Sequence, residues 1–260
     1  MATVVINGIE VRYCVEGRGP WVTLCHGLTT DLTMWDGLAA VLKQHYSVLR
    51  YNLRGHGGTG ATPPPYNFDL LVADVLGLLD ALGIERTHFI GVSMGGMIAQ
   101  YLALCAPKRV DKLVIASSTS RVPPEAGPIW DERIAQAQTL GMASQVDTML
   151  GHWFTPPFRA SHAELMARLA TLIESTPLPG YIGCAEAIRH FDITDRLGAI
   201  AAPTLVIAGI DDRMTPPILS EIIARAIPDA CLEEIFSASH MSCLEQPEIF
   251  NRAVAEFLGL

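Results

Sequence analysis

Hydrophobic and polar positions along the chain fall into two alternating rhythms. Short runs rich in β-branched and apolar residues, at 11–15, 21–25, 47–53, 87–92, 112–116, 204–208 and 231–235, have the length and composition of strands. Between them lie stretches such as 68–82 and 248–258, with apolar residues at the three- and four-residue spacing of one helix face. This alternation predicts an α/β fold, a mostly parallel sheet flanked by helices on both sides.

The rhythm breaks between residues 121 and 195, where strand-like runs vanish and helical pieces are separated by Pro123-Pro124, Pro156-Pro157 and Pro177-Leu178-Pro179-Gly180. A segment of that length is not a plain loop, so it is read as an inserted helical lid over the carboxyl edge of the sheet. The expected organisation is a core of residues 1–120 and 196–260 with a helical cap at 121–195. Two independent domains are disfavoured, because the strand pattern resumes at Thr204 and needs the earlier strands beside it.

Composition narrows the class. With 260 residues, half of them hydrophobic, the chain can bury a substantial core, and its net charge of -9 argues against a nucleic-acid partner. The first residues lack a basic segment followed by a long apolar core, and no apolar stretch approaches the ~20 residues of a membrane span. The protein is expected to be cytoplasmic, without a membrane partner. Cys14, Cys25, Cys105, Cys184, Cys231 and Cys243 form no C-x-x-C pair and read as reduced, mostly buried small hydrophobes. The histidines show no metal-ligand spacing, and the glycine-rich segment at 55–60 runs into Pro63-Pro64-Pro65, which cannot continue a phosphate-cradling helix. Neither metal nor cofactor is expected.

The chemistry centres on Gly91-Val92-Ser93-Met94-Gly95, between an apolar run and a helix-forming one. A strand, a sharp turn and a helix in that order lift the serine hydroxyl clear of the backbone, so Ser93 is the candidate nucleophile. A serine needs a base, and the base needs a group that fixes its tautomer. The run at 204–208 is followed by Asp211-Asp212, and the run ending at Phe236 by Ser237-Ala238-Ser239-His240. Ser93, Asp212 and His240 follow the order Ser, acid, His, with Asp211 as the rival acid. The backbone N–H groups of Met94 and Leu28 are the candidate oxyanion donors, and His26 reads as an orienting residue beside them.

Through His26-Gly27, Arg54-Gly55-His56-Gly57, Gly91 to Gly95, Asp212 and His240 the chain resembles the α/β-hydrolase superfamily over nearly its whole length. More narrowly it is similar to the 3-oxoadipate enol-lactonases, through Thr30-Asp31-Leu32-Thr33-Met34-Trp35-Asp36, Ser93-Met94-Gly95-Gly96-Met97-Ile98, Trp153-Phe154-Thr155-Pro156, Gly180-Tyr181 and Ala187-Ile188-Arg189. It departs from that group at Cys25-His26, where the group carries Ser-Asn.

The resemblance implies a small-molecule partner, an enol-lactone bearing a carboxylate, and hence a cation in the pocket. Every Lys or Arg in the insertion is an arginine, and Arg133 is the first choice for gripping a carboxylate bidentately, with His26 and Trp153 as further substrate-binding candidates. A general carboxylesterase or perhydrolase acting on small neutral esters uses the same triad, and the departure at His26 favours it. A ligand sensor on a hydrolase scaffold and a carbon–carbon bond hydrolase are the remaining readings.

Overall fold

A computed structural model of the protein describes residues Met1–Leu260. Eight strands form one sheet: β1 (Ala2–Ile6), β2 (Ile9–Gly17), β3 (Trp21–Cys25), β4 (Ser47–Tyr51), β5 (Thr87–Val92), β6 (Val110–Ala116), β7 (Thr204–Gly209) and β8 (Ala230–Ile235). Their spatial order is β1-β2-β4-β3-β5-β6-β7-β8. The first two strands pair antiparallel and all later neighbours pair parallel. The central strands β3, β5 and β7 are buried along almost their whole length, which is why they read as continuous apolar runs.

Helices cover both faces. On one side α1 (Asp36–Leu42) packs against α11 (Pro247–Leu258); on the other α2 (Phe68–Ala81) packs against α3 (Met94–Cys105), while α9 (Pro217–Ala226) rests on β7 and β8. The Asn67 side chain caps α2 by accepting from Leu70 N–H at 2.8 Å, and α11 buries Phe250, Val254 and Leu258, one per turn. One strand is additional to the sequence reading. Asn7 and Gly8 both adopt positive φ, 45° and 75°, turning β1 back onto β2 as a two-residue hairpin.

Between β6 and β7 there is no strand. The segment holds α4 (Gly127–Leu140), α5 (Val146–Trp153), α6 (Pro156–Ser161), α7 (Ala163–Glu174) and α8 (Leu178–Arg189), and the short α10 (Ser242–Glu245) follows β8. Its two ends are pinned together by an isolated bridge between Arg121 and Asp192, with Val122 N–H on Phe191 O at 2.8 Å and Ile193 N–H on Ser120 O at 2.9 Å. Its buried residues Trp153, Tyr181 and Ile188 belong to the same apolar cluster as the strand residues Leu24, Phe89 and Val206. The insertion therefore shares the core of the sheet.

Candidate active site

Ser93 sits between β5 and α3 with φ 56° and ψ -119°, a conformation that costs a non-glycine residue roughly 1–3 kcal/mol and persists only where the surroundings enforce it. Ser93 N–H donates to Ala116 O at 2.9 Å, and Ser118 Oγ donates to Ser93 O at 2.9 Å. A Cβ on Gly91 would overlap the Gly95 carbonyl, and one on Gly95 would overlap the Cys25 carbonyl at the end of β3. Close approach of backbone to backbone, more than turn flexibility, is what both glycines supply.

Beyond β7, Asp212 is buried and its carboxylate is fully engaged. Oδ1 accepts from the N–H groups of Met214 at 2.8 Å and Thr215 at 2.9 Å; Oδ2 accepts from Thr215 Oγ1 at 2.6 Å and faces His240 Nδ1 at 2.8 Å. Burial pushes the Asp212 carboxyl up, but the adjacent His240 and the Thr215 hydroxyl and N–H outweigh it and hold the group below its ordinary value. Asp211, the rival, is exposed and its side chain makes no hydrogen bond or ion pair. The imidazole of His240 is wholly buried, and its Nε2 has no partner in the protein, Ser93 included.

Ser93 opens on a cavity of about 160 Å³, whose wall includes Leu28, Thr215 and Met241 from the core and Trp130, Arg133 and Trp153 from the insertion. That is below the ~300–1,000 Å³ of drug-sized sites and suits a small substrate. A larger open groove of about 760 Å³ runs past the outer side of Asp212 but does not reach Ser93. At the cavity edge Leu28 N–H donates to no protein acceptor, and Met94, the first residue of α3, has no intrahelical carbonyl for its N–H. Both N–H groups are thus without a protein acceptor, one on the loop after β3 and the other at the start of α3.

The arginines of the insertion separate clearly. Arg121 pairs with Asp192 at 3.2 Å and Arg189 with Asp131, whereas Arg133, Arg159 and Arg168 have no carboxylate partner, and of these three only Arg133 lines the cavity. Its guanidinium lies 4.7 Å over the Trp130 ring, its Nε is buried and unpartnered, and it faces the cavity. Tyr181 beside it is fully buried and donates to Gln145 Oε1 at 3.1 Å. Burial raises the Tyr181 phenol, and the neighbouring Arg133 offsets only part of that.

Two expectations need correction. His26 is off the cavity wall: its Nδ1 donates to Gly27 O at 2.7 Å and its Nε2 accepts from Leu53 N–H at 3.0 Å, so both ring nitrogens are spent on backbone. Complete burial, with His56 nearby, pushes its pKa down to about 3. It ties the loop carrying Leu28 to the loop after β4 and is not placed to touch a substrate. The six cysteines are all free, but only Cys25, Cys184 and Cys243 are buried; Cys14 is half-buried, and Cys105 and Cys231 are exposed because they lie at a helix end and on the outermost strand.

Two buried neighbours of these residues are not singled out by the sequence. Thr215 bonds to Asp212 and faces His240 Nδ1. Glu245, also buried, accepts Ser239 N–H through Oε2 at 2.8 Å, and Thr155 N–H through Oε1 at 3.0 Å together with the Thr155 hydroxyl. Met241 N–H donates to Trp153 O at 3.0 Å and Ser239 Oγ to His152 O at 2.9 Å, so the His240 loop is sewn to residues 152–155 of the insertion. Thr215 was detectable as a hydroxyl three residues beyond an acid that also bonds the backbone N–H two residues on, a common turn pattern. No group of three or more His, Cys, Asp or Glu side chains comes together as a metal cradle.

The family model for the alpha/beta hydrolase fold matches residues 20–247. The chain belongs to this family. Among curated relatives, this α/β-hydrolase is 32% identical over 254 residues to 3-oxoadipate enol-lactonase 2 of Acinetobacter baylyi, covering 97% of this chain and 94% of the relative. It is 29% identical over 255 residues to a putative carbamate hydrolase of Agrobacterium fabrum, covering 96% and 97%. The solved enol-lactonase of Burkholderia xenovorans superposes with a TM-score of 0.96 at 34% identity over the full length of both chains. The α/β-hydrolase has no helix long and apolar enough to cross a membrane.

Proposed function

We propose that this hydrolase opens a small enol-lactone bearing a carboxylate, of the 3-oxoadipate enol-lactone kind, through an acyl-enzyme on Ser93. The observation that carries the reading is an arginine without a carboxylate partner facing the same small cavity as the strained serine. The enol-lactonase relatives support it independently.

Residues 121–195 act as a cap, with α4 and α5 roofing the cavity. The lactone carboxylate lies on Arg133, whose planar guanidinium grips it bidentately while Trp130 and Trp153 wall the ring. Ser93 Oγ attacks the lactone carbonyl and His240 Nε2 takes its proton, while Asp212 stabilises the imidazolium. The oxyanion is held by Leu28 and Met94 N–H, each contributing about 3 kcal/mol to lowering the barrier. The ring oxygen leaves as an enol by taking the proton from His240 Nε2 and becomes a ketone, and His240, neutral again, takes a proton from the water that clears the acyl-enzyme and returns it to Ser93 Oγ. The Ser93–His240 hydrogen bond forms as substrate binds, as is usual for sites that tighten on occupation.

The test measures initial rates of 3-oxoadipate enol-lactone loss, p-nitrophenyl acetate hydrolysis and hydrolysis of a small carbamate, for wild type and Ser93→Ala. Rapid Ser93-dependent lactone opening with weak turnover of the other two is expected. Ester turnover alone would move the assignment to a neutral carboxylesterase, which the largely apolar cavity wall also accommodates. Carbamate turnover alone would move it to the activity named for the Agrobacterium relative.

A further inference from the structure

The Thr215 hydroxyl lies at the junction of acid and base, 2.6 Å from Asp212 Oδ2 and 3.1 Å from His240 Nδ1. Thr215 is buried, and it also forms part of the wall of the cavity that holds Ser93. The catalytic steps above give this hydroxyl no part. Its single proton settles its orientation, because an ionised carboxylate only accepts hydrogen bonds. That proton therefore goes to Asp212 Oδ2, and a lone pair of Oγ1 is left facing His240 Nδ1.

Nδ1 then meets two acceptors, Oδ2 at 2.8 Å and Oγ1 at 3.1 Å. A proton on Nδ1 satisfies both in a three-centre bond, and the same proton leaves Nε2 bare, the form a general base requires. A single acceptor would fix one direction from the ring. Two acceptors on different side chains fix its tilt as well, since rotation towards either lengthens the bond to the other. The backbone N–H of Thr215 holds Asp212 Oδ1 at 2.9 Å, so one residue anchors the acid by its main chain and aims the base by its side chain.

We propose that Thr215 is a positioning residue which, with Asp212, holds His240 in the Nδ1–H tautomer and at the tilt that faces Nε2 towards Ser93. The proposal rests on the Ser93, His240 and Asp212 reading given above. It is tested with Thr215→Val, which keeps the shape and deletes the hydroxyl, and Thr215→Ser, which keeps the hydroxyl and deletes the methyl. Both are assayed on the best substrate of the panel, with the low-field proton resonance of His240 Nδ1–H recorded for each.

The valine variant is expected to lose roughly tenfold in kcat with KM changed by less than about twofold, and its Nδ1–H resonance to move or broaden away. The serine variant should recover wild-type kcat to within about twofold and restore the resonance. A valine variant with wild-type kcat and an unmoved resonance would overturn the proposal, as would equal losses in both variants accompanied by equal losses of melting temperature. If Thr215→Val does not fold, Thr215→Ala is read by the same criteria. Ser93→Ala and His240→Ala, run alongside, separate the two levels: turnover surviving in them would bring down the triad and this proposal with it. Turnover abolished in them but intact in Thr215→Val would bring down this proposal alone.

Discussion

Asparagine in place of Asp212 tests the acid–base geometry most sharply, because the carboxylate has four donors around it and an amide cannot answer them all. Asp212 receives two backbone N–H groups on Oδ1 and, on Oδ2, the Thr215 hydroxyl and the Nδ1–H of His240. An asparagine has one acceptor oxygen and one NH2. If the oxygen faces the backbone, both N–H groups stay satisfied and the NH2 meets His240 Nδ1, which must give up its proton to accept. If the amide turns over, two buried N–H groups lose their acceptor at about 1–3 kcal/mol each. The first arrangement is favoured by those lost bonds, and it moves the imidazole proton to Nε2, where it blocks proton abstraction from Ser93.

A wrong tautomer on intact geometry costs on the order of 10⁴ in kcat, or about 5.5 kcal/mol of barrier. The assay is kcat for Asp212→Asn and Asp211→Asn on one activated ester, with circular dichroism melting as a check on folding. Asp211→Asn should stay within about twofold of wild type, since its side chain is exposed and unbonded. A folded Asp212→Asn within tenfold of wild type, or a larger loss in Asp211→Asn, would refute the assignment of the acid.

Further outcomes follow from other parts of the site. Arg133→Gln should raise KM for the carboxylated lactone roughly 10–100-fold, the worth of a charge-assisted hydrogen bond, and leave KM for p-nitrophenyl acetate almost unchanged; equal shifts would remove Arg133 as the carboxylate ligand. Gly95→Ala drives a Cβ into the Cys25 carbonyl, so chemical denaturation should show a loss of more than about 3 kcal/mol or no folded protein, and a loss under about 1 kcal/mol would contradict the packing. Burial pushes His26 down to about 3 and His56 to about 4. The unfolded chain then takes up protons below pH ~6.5 that the fold refuses, so stability is full above that pH and falls on acidification by up to about 1.4 kcal/mol per unit for each histidine. The depressed Asp212 carboxyl adds a loss of the same sign once the pH drops below ~4. Melting temperatures from pH 7.5 to 4.5 check this, and a flat profile would be inconsistent with two buried neutral imidazoles.

What could be read from the chain depended on whether the signal was local. The parallel strands announced themselves because burial on both faces leaves no polar alternation to obscure them. The edge strand β1 is exposed along most of its length, and its Val4-Val5-Ile6 run and the Asn7-Gly8 turn are a strand and hairpin signal that the sequence analysis above does not use. The proline pairs fall where one helix of the insertion gives way to the next, and Pro156 and Pro157 open α6, since a proline in the first turn loses nothing. The turn around Ser93 was legible from its glycines. Which of Asp211 and Asp212 meets His240 depended on side-chain direction after β7, and the fate of His26 depended on Leu53, 27 residues away, finding its Nε2. Which unpaired arginine of the insertion lines the cavity was equally beyond the sequence, because Arg133, Arg159 and Arg168 all lack a carboxylate partner and only the fold brings Arg133 to the cavity wall.

The stitching of the His240 loop to residues 152–155 divides the insertion into two parts with different freedom to vary. On the function proposed above, a substitution on α4, where Trp130 and Arg133 line the cavity, is expected to alter recognition and leave His240 where it stands. A substitution at the corner between α5 and α6 pulls on Glu245, Ser239 and Met241, and through them on His240. If those roles hold, substrate preference is expected to change on randomising α4 at little catalytic cost. Libraries that include Thr155 would mix altered recognition with a displaced base, and most of their losses would be misread as lost binding.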